Sequence, residues 1–157
     1  MRLHALASLS VAALCGWTTA ARAQDPCAAL AQHGGALIGE PGAKPKAVTS
    51  GKNTICELRN GDNSAHLSLV AAPTPQPAST LAFSATMARQ SKEPGRSVKD
   101  EPSLGTGAFQ LRDQQQLSFY AGSKGVLYSL TLNRDRGIGA GDEERLRALA
   151  RQLVEGR

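Results

Sequence analysis

Few residues in this sequence can carry chemistry. The histidines come first, because an imidazole serves as base, proton shuttle or metal ligand near neutral pH. His4 lies in an apolar N-terminal stretch, which leaves His33 and His66 in the body of the chain. The two are far apart and neither has a Cys, Asp or Glu at metal-ligand spacing, so they predict no metal site. A hydrolase-like arrangement in which His66 activates Ser68 or Ser118 is the catalytic alternative these residues offer. No Gly-x-Ser-x-Gly turn presents a serine for it. The sequence therefore assigns no catalytic residue and implies no cofactor.

Two glycine patterns bear on phosphate binding. Gly105-Thr106-Gly107 precedes a strand rather than a helix, so it offers no helix amides to an anion. Gly137, Gly139 and Gly141 do precede a helix. However, Asp142 stands where the G-x-G-x-x-G pattern needs its last glycine, and Glu143 and Glu144 add repulsion. Both patterns read as turns.

The cysteines depend on where the chain goes. Arg2, the apolar run Leu3 to Trp17 and the small-x-small tripeptide Ala21-Arg22-Ala23 predict a secretory signal over residues 1–23. The apolar run is shorter than the roughly 20 residues a membrane helix needs, and no later segment is apolar enough to span a bilayer. Cleavage after Ala23 removes 23 of 157 residues and leaves 134, a single domain covering 24–157 that is periplasmic or secreted. Cys15 departs with the leader. Cys27 and Cys56 remain, without a Cys-x-x-Cys pattern, and an oxidising compartment predicts one structural disulfide between them.

Charge narrows the partners. Arg2 and Arg22 leave with a leader that has no acid, so the formal charge of +5 falls by two to +3. The cations are scattered and not interleaved with aromatics, so nucleic acid is not an expected partner.

Punctuation places the elements. Asp25-Pro26 is a helix start, and Gly34-Gly35 its expected stop. The Pro- and Gly-bearing stretch 40–53 reads as a loop. Strands 54–59 and 65–72 flank a hairpin turn at Asn60-Gly61-Asp62-Asn63. Pro73, Pro75 and Pro77 lead to a helix over 79–91, on which Leu81, Ala85 and Ala88 share a face. Segment 92–107 reads as a second, mobile loop. Strands 108–112, 116–121 and 126–133 then form a meander, and a helix over 142–155 closes the chain with acids at its positive end. The order α-β-β-α-β-β-β-α predicts an α+β domain, an antiparallel sheet of about five strands with the helices on one face.

Strand alternation points Leu67, Leu69, Phe109, Leu111, Leu117, Phe119, Val126, Tyr128, Leu130 and Leu132 at the helices. The other face then collects His66, Ser68, Gln110, Arg112, Ser118, Tyr120, Leu127, Ser129 and Thr131. Within it, His66, Arg112, Ser118 and Tyr120 are the candidate binding residues, combining a charge, an imidazole, a hydroxyl and an amphipathic ring.

The run Pro102-Ser103-Leu104-Gly105-Thr106-Gly107-Ala108-Phe109 resembles the Pro-Gly-Leu-Gly-Asp-Ala-Ala-Tyr/Phe signature of small exported bacterial proteins and lipoproteins of unknown function, departing at Ser103 and Thr106. The cysteine-bearing helix around Cys27, the Gly at 39, the strand cysteine Cys56 and the alanine-rich C-terminal helix are similar too. The resemblance implies export, the disulfide and the α+β layout, and it brings no catalytic residues. The expected function is a non-enzymatic envelope module that binds an envelope protein, a cell-wall component or a small ligand through the open sheet face or the 92–107 segment.

Overall fold

Asp25 starts the first helix by accepting the Cys27 N–H at Oδ1 (3.0 Å), and Pro26 takes the first turn, where no N–H is needed. The computed structural model describes residues 25–156, so the expected leader lies outside the described residues. Helix α1 (Pro26–Ile38) runs through Gly34 and Gly35 and ends at Gly39, which is left-handed at φ 76°. The expected stop at Gly34-Gly35 is thus corrected. A Cβ on Gly34 would lie 2.9 Å from Cδ2 of both Leu58 and Leu67, so the missing side chain serves close approach of helix to sheet.

The strands are β1 (Lys46–Ser50), β2 (Asn53–Arg59), β3 (Ala65–Pro73), β4 (Ser97–Asp100), β5 (Phe109–Arg112), β6 (Gln116–Ser123) and β7 (Val126–Arg134). They form one antiparallel sheet in the order β1-β2-β3-β7-β6-β5-β4. The order of expected elements holds, but the sheet has seven strands rather than about five. Both additions lie in segments read as loops: β1 within 40–53 and β4 within 92–107, where a 3-10 turn (Pro102–Leu104) follows. Short edge strands with only one neighbour need little apolar alternation, so polar composition hides them.

Helix α1 and the C-terminal helix α3 (Asp142–Glu155) pack against one face, around Leu58, Leu67, Leu69, Leu117, Phe119, Leu130 and Leu132. Helix α2 (Pro77–Gln90) lies on the other face, where Leu81 and Ala85 meet Phe109. The helices are therefore on both faces, not one. The Cys27–Cys56 disulfide ties α1 to β2, with Cα atoms 5.4 Å apart and both residues buried. In the chain-entropy picture, a bridge closing such a loop stabilises a fold by about 3–4 kcal/mol.

The β5–β6 turn decides which side chains share a face. Asp113 Oδ1 accepts the N–H groups of Gln115 (2.8 Å) and Gln116 (2.7 Å), and the Asp113 N–H donates to the Gln116 carbonyl. Arg112 is thereby opposite Leu117, Gln110 opposite Phe119 and Phe109 opposite Tyr120. Strand alternation groups Phe109 and Leu111 with Leu117 and Phe119, and the turn shifts that phase by one residue, which exchanges the faces of a strand. Phe109 and Leu111 consequently belong to the α2 face. Gln110 and Arg112 belong to the α1/α3 face.

Candidate functional site

The register builds the site candidate row by row on the α2 face. Arg59, His66, Asn133 and Gln116 stand in line across β2, β3, β7 and β6. The next row is Lys46, Glu57, Ser68, Thr131 and Ser118, and the third is Val48, Ile55, Val70, Ser129 and Tyr120. At strand spacing the second row is roughly 19 Å long. Helix α2 covers the β4–β6 side of this face. Arg89 pairs with Asp100 of β4, so its flank points to that edge. At 100° per residue, Thr80, Ser84 and Met87 occupy the opposite flank and border the rest of the face, on β1, β2, β3 and the Ser129-to-Asn133 part of β7, with α2 meeting β7 at Leu127.

Sequence reasoning places four residues together, and the structure separates them. His66 lies on the uncovered half, partly exposed, with Nε2 buried and without a hydrogen-bond partner. Its pKa is lowered by burial and by the nearby Arg59 charge, against an opposing pull from Glu57. Ser118 is fully buried, its hydroxyl bonded to Thr131 Oγ1 (2.9 Å) and accepting from Gln116 Nε2 (2.9 Å). Tyr120 stacks on Phe109 with ring centroids 4.6 Å apart and packs in the α2 cluster, so it is not an open-face aromatic. Arg112 is on the opposite face, bonded through Nη1 to Glu143 Oε2 at 2.9 Å.

For catalysis the geometry offers little. Ser118 lies two strands from His66 and its hydroxyl is engaged, while Ser68 is two residues along the same strand, roughly 7 Å away. No hydrogen bond joins His66 to a hydroxyl or carboxylate among the described residues. No cluster of three or more His, Cys, Asp or Glu that could hold a metal occurs among them either. At the Gly137–Gly141 turn, Asp142 fills the place of an anion: its Oδ2 accepts the Gly139 N–H (2.8 Å) and lies 3.0 Å from Arg134 Nε. Arg134 also donates to the Leu37 carbonyl, joining this turn to the end of α1.

No family model matches this chain, and neither does any curated protein or solved structure.

A second polar cluster joins residues that lie far apart in sequence. On the α1/α3 face, Arg147 binds Glu101 through Nε–Oε2 (3.1 Å) and Nη2–Oε1 (3.0 Å), and also reaches Glu143 Oε1 (2.7 Å). Buried Gln110, with its amide turned to donate, reaches Glu101 and Glu143 at 3.2 Å each. The Arg147 guanidinium also lies over the Phe119 ring, 5.4 Å from its centre. Burial would raise the Glu143 pKa, but the hydrogen bond and charge of Arg147, helped by Lys99 and Arg112, hold it below the usual range. Every charge in this cluster has a partner, so it acts as a clamp between α3, the 3-10 turn and β5. The Glu143/Arg147 spacing, i to i+4, was the one signal available in sequence.

Proposed function

We propose that this protein is an exported, non-enzymatic binding or accessory domain of the cell envelope, whose recognition surface is the uncovered β1–β2–β3–β7 half of the α2 face. The observation that carries the reading is the arrangement of that surface. Two rows run across it, one of Arg59, His66 and Asn133 and one of Lys46, Glu57, Ser68 and Thr131, beside a third that is partly apolar, with Val48, Ile55 and Val70. Such a floor presents donors and acceptors together with apolar area, the mixture found at non-obligate protein interfaces. Export is supported by the buried Cys27–Cys56 bridge, a linkage that persists in oxidising compartments. No described helix is long and apolar enough to cross a membrane. The partner class is an envelope protein or cell-wall component.

The test compares three forms of the protein as bait for envelope fractions: wild type, Thr131→Arg on the uncovered face, and Ala148→Arg on the exposed side of α3. A specific component retained by wild type and by the α3 variant, but lost by the face variant, supports the reading. Equal retention by all three overturns it.

A further inference from the structure

We propose that β1 is a docking edge for an extended, acidic segment of a partner protein, which joins the sheet as an eighth strand. This deepens the binding reading above and rests on it. β1 ends the strand order, so alternate N–H and C=O groups along it face away from β2 with no strand among the described residues to receive them. All five of its residues are exposed. The opposite edge is different in kind. β4 has four residues, and α2 buttresses it through the Arg89–Asp100 pair and the packing of Val98. The β4 edge is the shorter one and has a helix packed beside it, whereas β1 is exposed at every residue.

Side chains select the occupant. Val48 is 44% exposed and continues the Ile55–Val70 row, so an added strand that brings an apolar side chain beside it extends an apolar stripe already in place. Lys44 and Lys52 flank the strand and Lys46 lies within it, and none of the three forms an ion pair among the described residues. These lysines oppose self-association. Antiparallel pairing of two copies centred on Val48 sets Lys44 against Lys52 of the second copy, and centring on Thr49 sets Lys46 against Lys52. Like charges directly opposite destabilise a strand pair, whereas carboxylates at those places complement it. The edge thus rejects a second copy and suits an acidic strand with an apolar residue two positions from its carboxylate, the β-augmentation mode of recognition.

The test titrates the disulfide-bonded protein with two capped peptides that alternate valine and threonine with either glutamate or lysine, and follows amide hydrogen exchange along the chain. The glutamate peptide should slow exchange of alternate amides within 46–50 by tenfold or more, and the lysine peptide should leave them unchanged. Lys46→Gln, an exposed change that sets no second carboxylate opposite Glu57, should weaken that preference. Equal protection by both peptides overturns the proposal, as does slowing at 46–50 that rises with protein concentration alone, which would assign the edge to a second copy. If the glutamate peptide protects β3 and β7 but not 46–50, the edge proposal fails while the sheet-face reading stands. If it protects neither, the edge proposal fails, and the bait comparison with Thr131→Arg decides the sheet face separately.

Discussion

Arg147 grips Glu101 with two parallel hydrogen bonds, Nε to Oε2 and Nη2 to Oε1, across 46 positions of sequence. The pair fastens α3 to the segment between β4 and the 3-10 turn. Only a planar, forked cation meets a carboxylate in this way while lying over the Phe119 ring. Glu101 Oε1 also receives the buried Gln110 amide, so removing the arginine leaves a carboxylate with a side-chain exposure of only 12% without its cation.

Arg147→Met should therefore cost about 2–4 kcal/mol in urea unfolding, since breaking one side of a largely buried pair strands the other charge. Arg147→Lys should recover less than half of that loss, because an ammonium cannot reproduce the fork. A methionine variant within about 0.5 kcal/mol of wild type, the range of an ordinary surface change, contradicts the clamp.

Acid should weaken the fold in two separate windows. His66 has a folded-state pKa below its usual 6.5, so the unfolded chain takes up its proton first, and this contribution to stability is lost as pH falls below about 6.5. Glu143 is held below 4.5, so its contribution is complete above that value and disappears as pH falls through the folded-state pKa. Urea midpoints measured from pH 8 to pH 3 should show both declines. His66→Asn should flatten the upper window and Glu143→Gln the lower, each without touching the other.

Gly34→Ala should destabilise the protein by about 1–3 kcal/mol despite the better helix propensity of alanine. The added carbon would fall 2.9 Å from methyl groups of both Leu58 and Leu67, which are buried and have little room to retreat. Ala36→Ser, on the exposed side of the same helix, is the control and should change the thermal midpoint little. A Gly34→Ala protein at least as stable as wild type shows that the helix can lift away without cost.

Reduction of the disulfide, or the double change Cys27→Ala with Cys56→Ala, should remove about 3–4 kcal/mol of stability. Equilibrium unfolding with and without reductant measures it directly. Loss of less than about 1 kcal/mol would mean that α1 holds to β2 by packing alone.

Long, periodic elements were legible from sequence. α3 lies where Leu146, Leu149, Ala150 and Leu153 put it, and the two cysteines are bonded as export predicted. Tyr128 also packs on the α1/α3 core, and burial raises its pKa. What escaped detection depended on tertiary context. Gly34-Gly35 looks like a helix stop until the sheet beneath it is known, and β1 and β4 carry almost no apolar signal because each has a single neighbour. The site suffered most from one turn. Alternation along β5 follows from its sequence, but the phase between β5 and β6 is set by the Asp113 turn, which puts Arg112 on the α1/α3 face, away from His66, Ser118 and Tyr120.

The pairing of β3 with β7 extends over nine register positions, from Ala65–Arg134 to Pro73–Val126. Each remaining strand pair joins neighbours in sequence through a short connection or hairpin, so β1–β2–β3 and β4–β5–β6–β7 can each assemble locally. Only the β3–β7 seam requires the intervening chain to be gathered first, and its loop-closure entropy is met before any ladder bond rewards it. The seam is thus the kinetic bottleneck at which two local meanders become one cooperative unit. Truncating Leu69 or Leu130 there should slow refolding, whereas truncating Val48 at the β1 edge should act mainly on unfolding, a contrast that the two limbs of a denaturant chevron resolve.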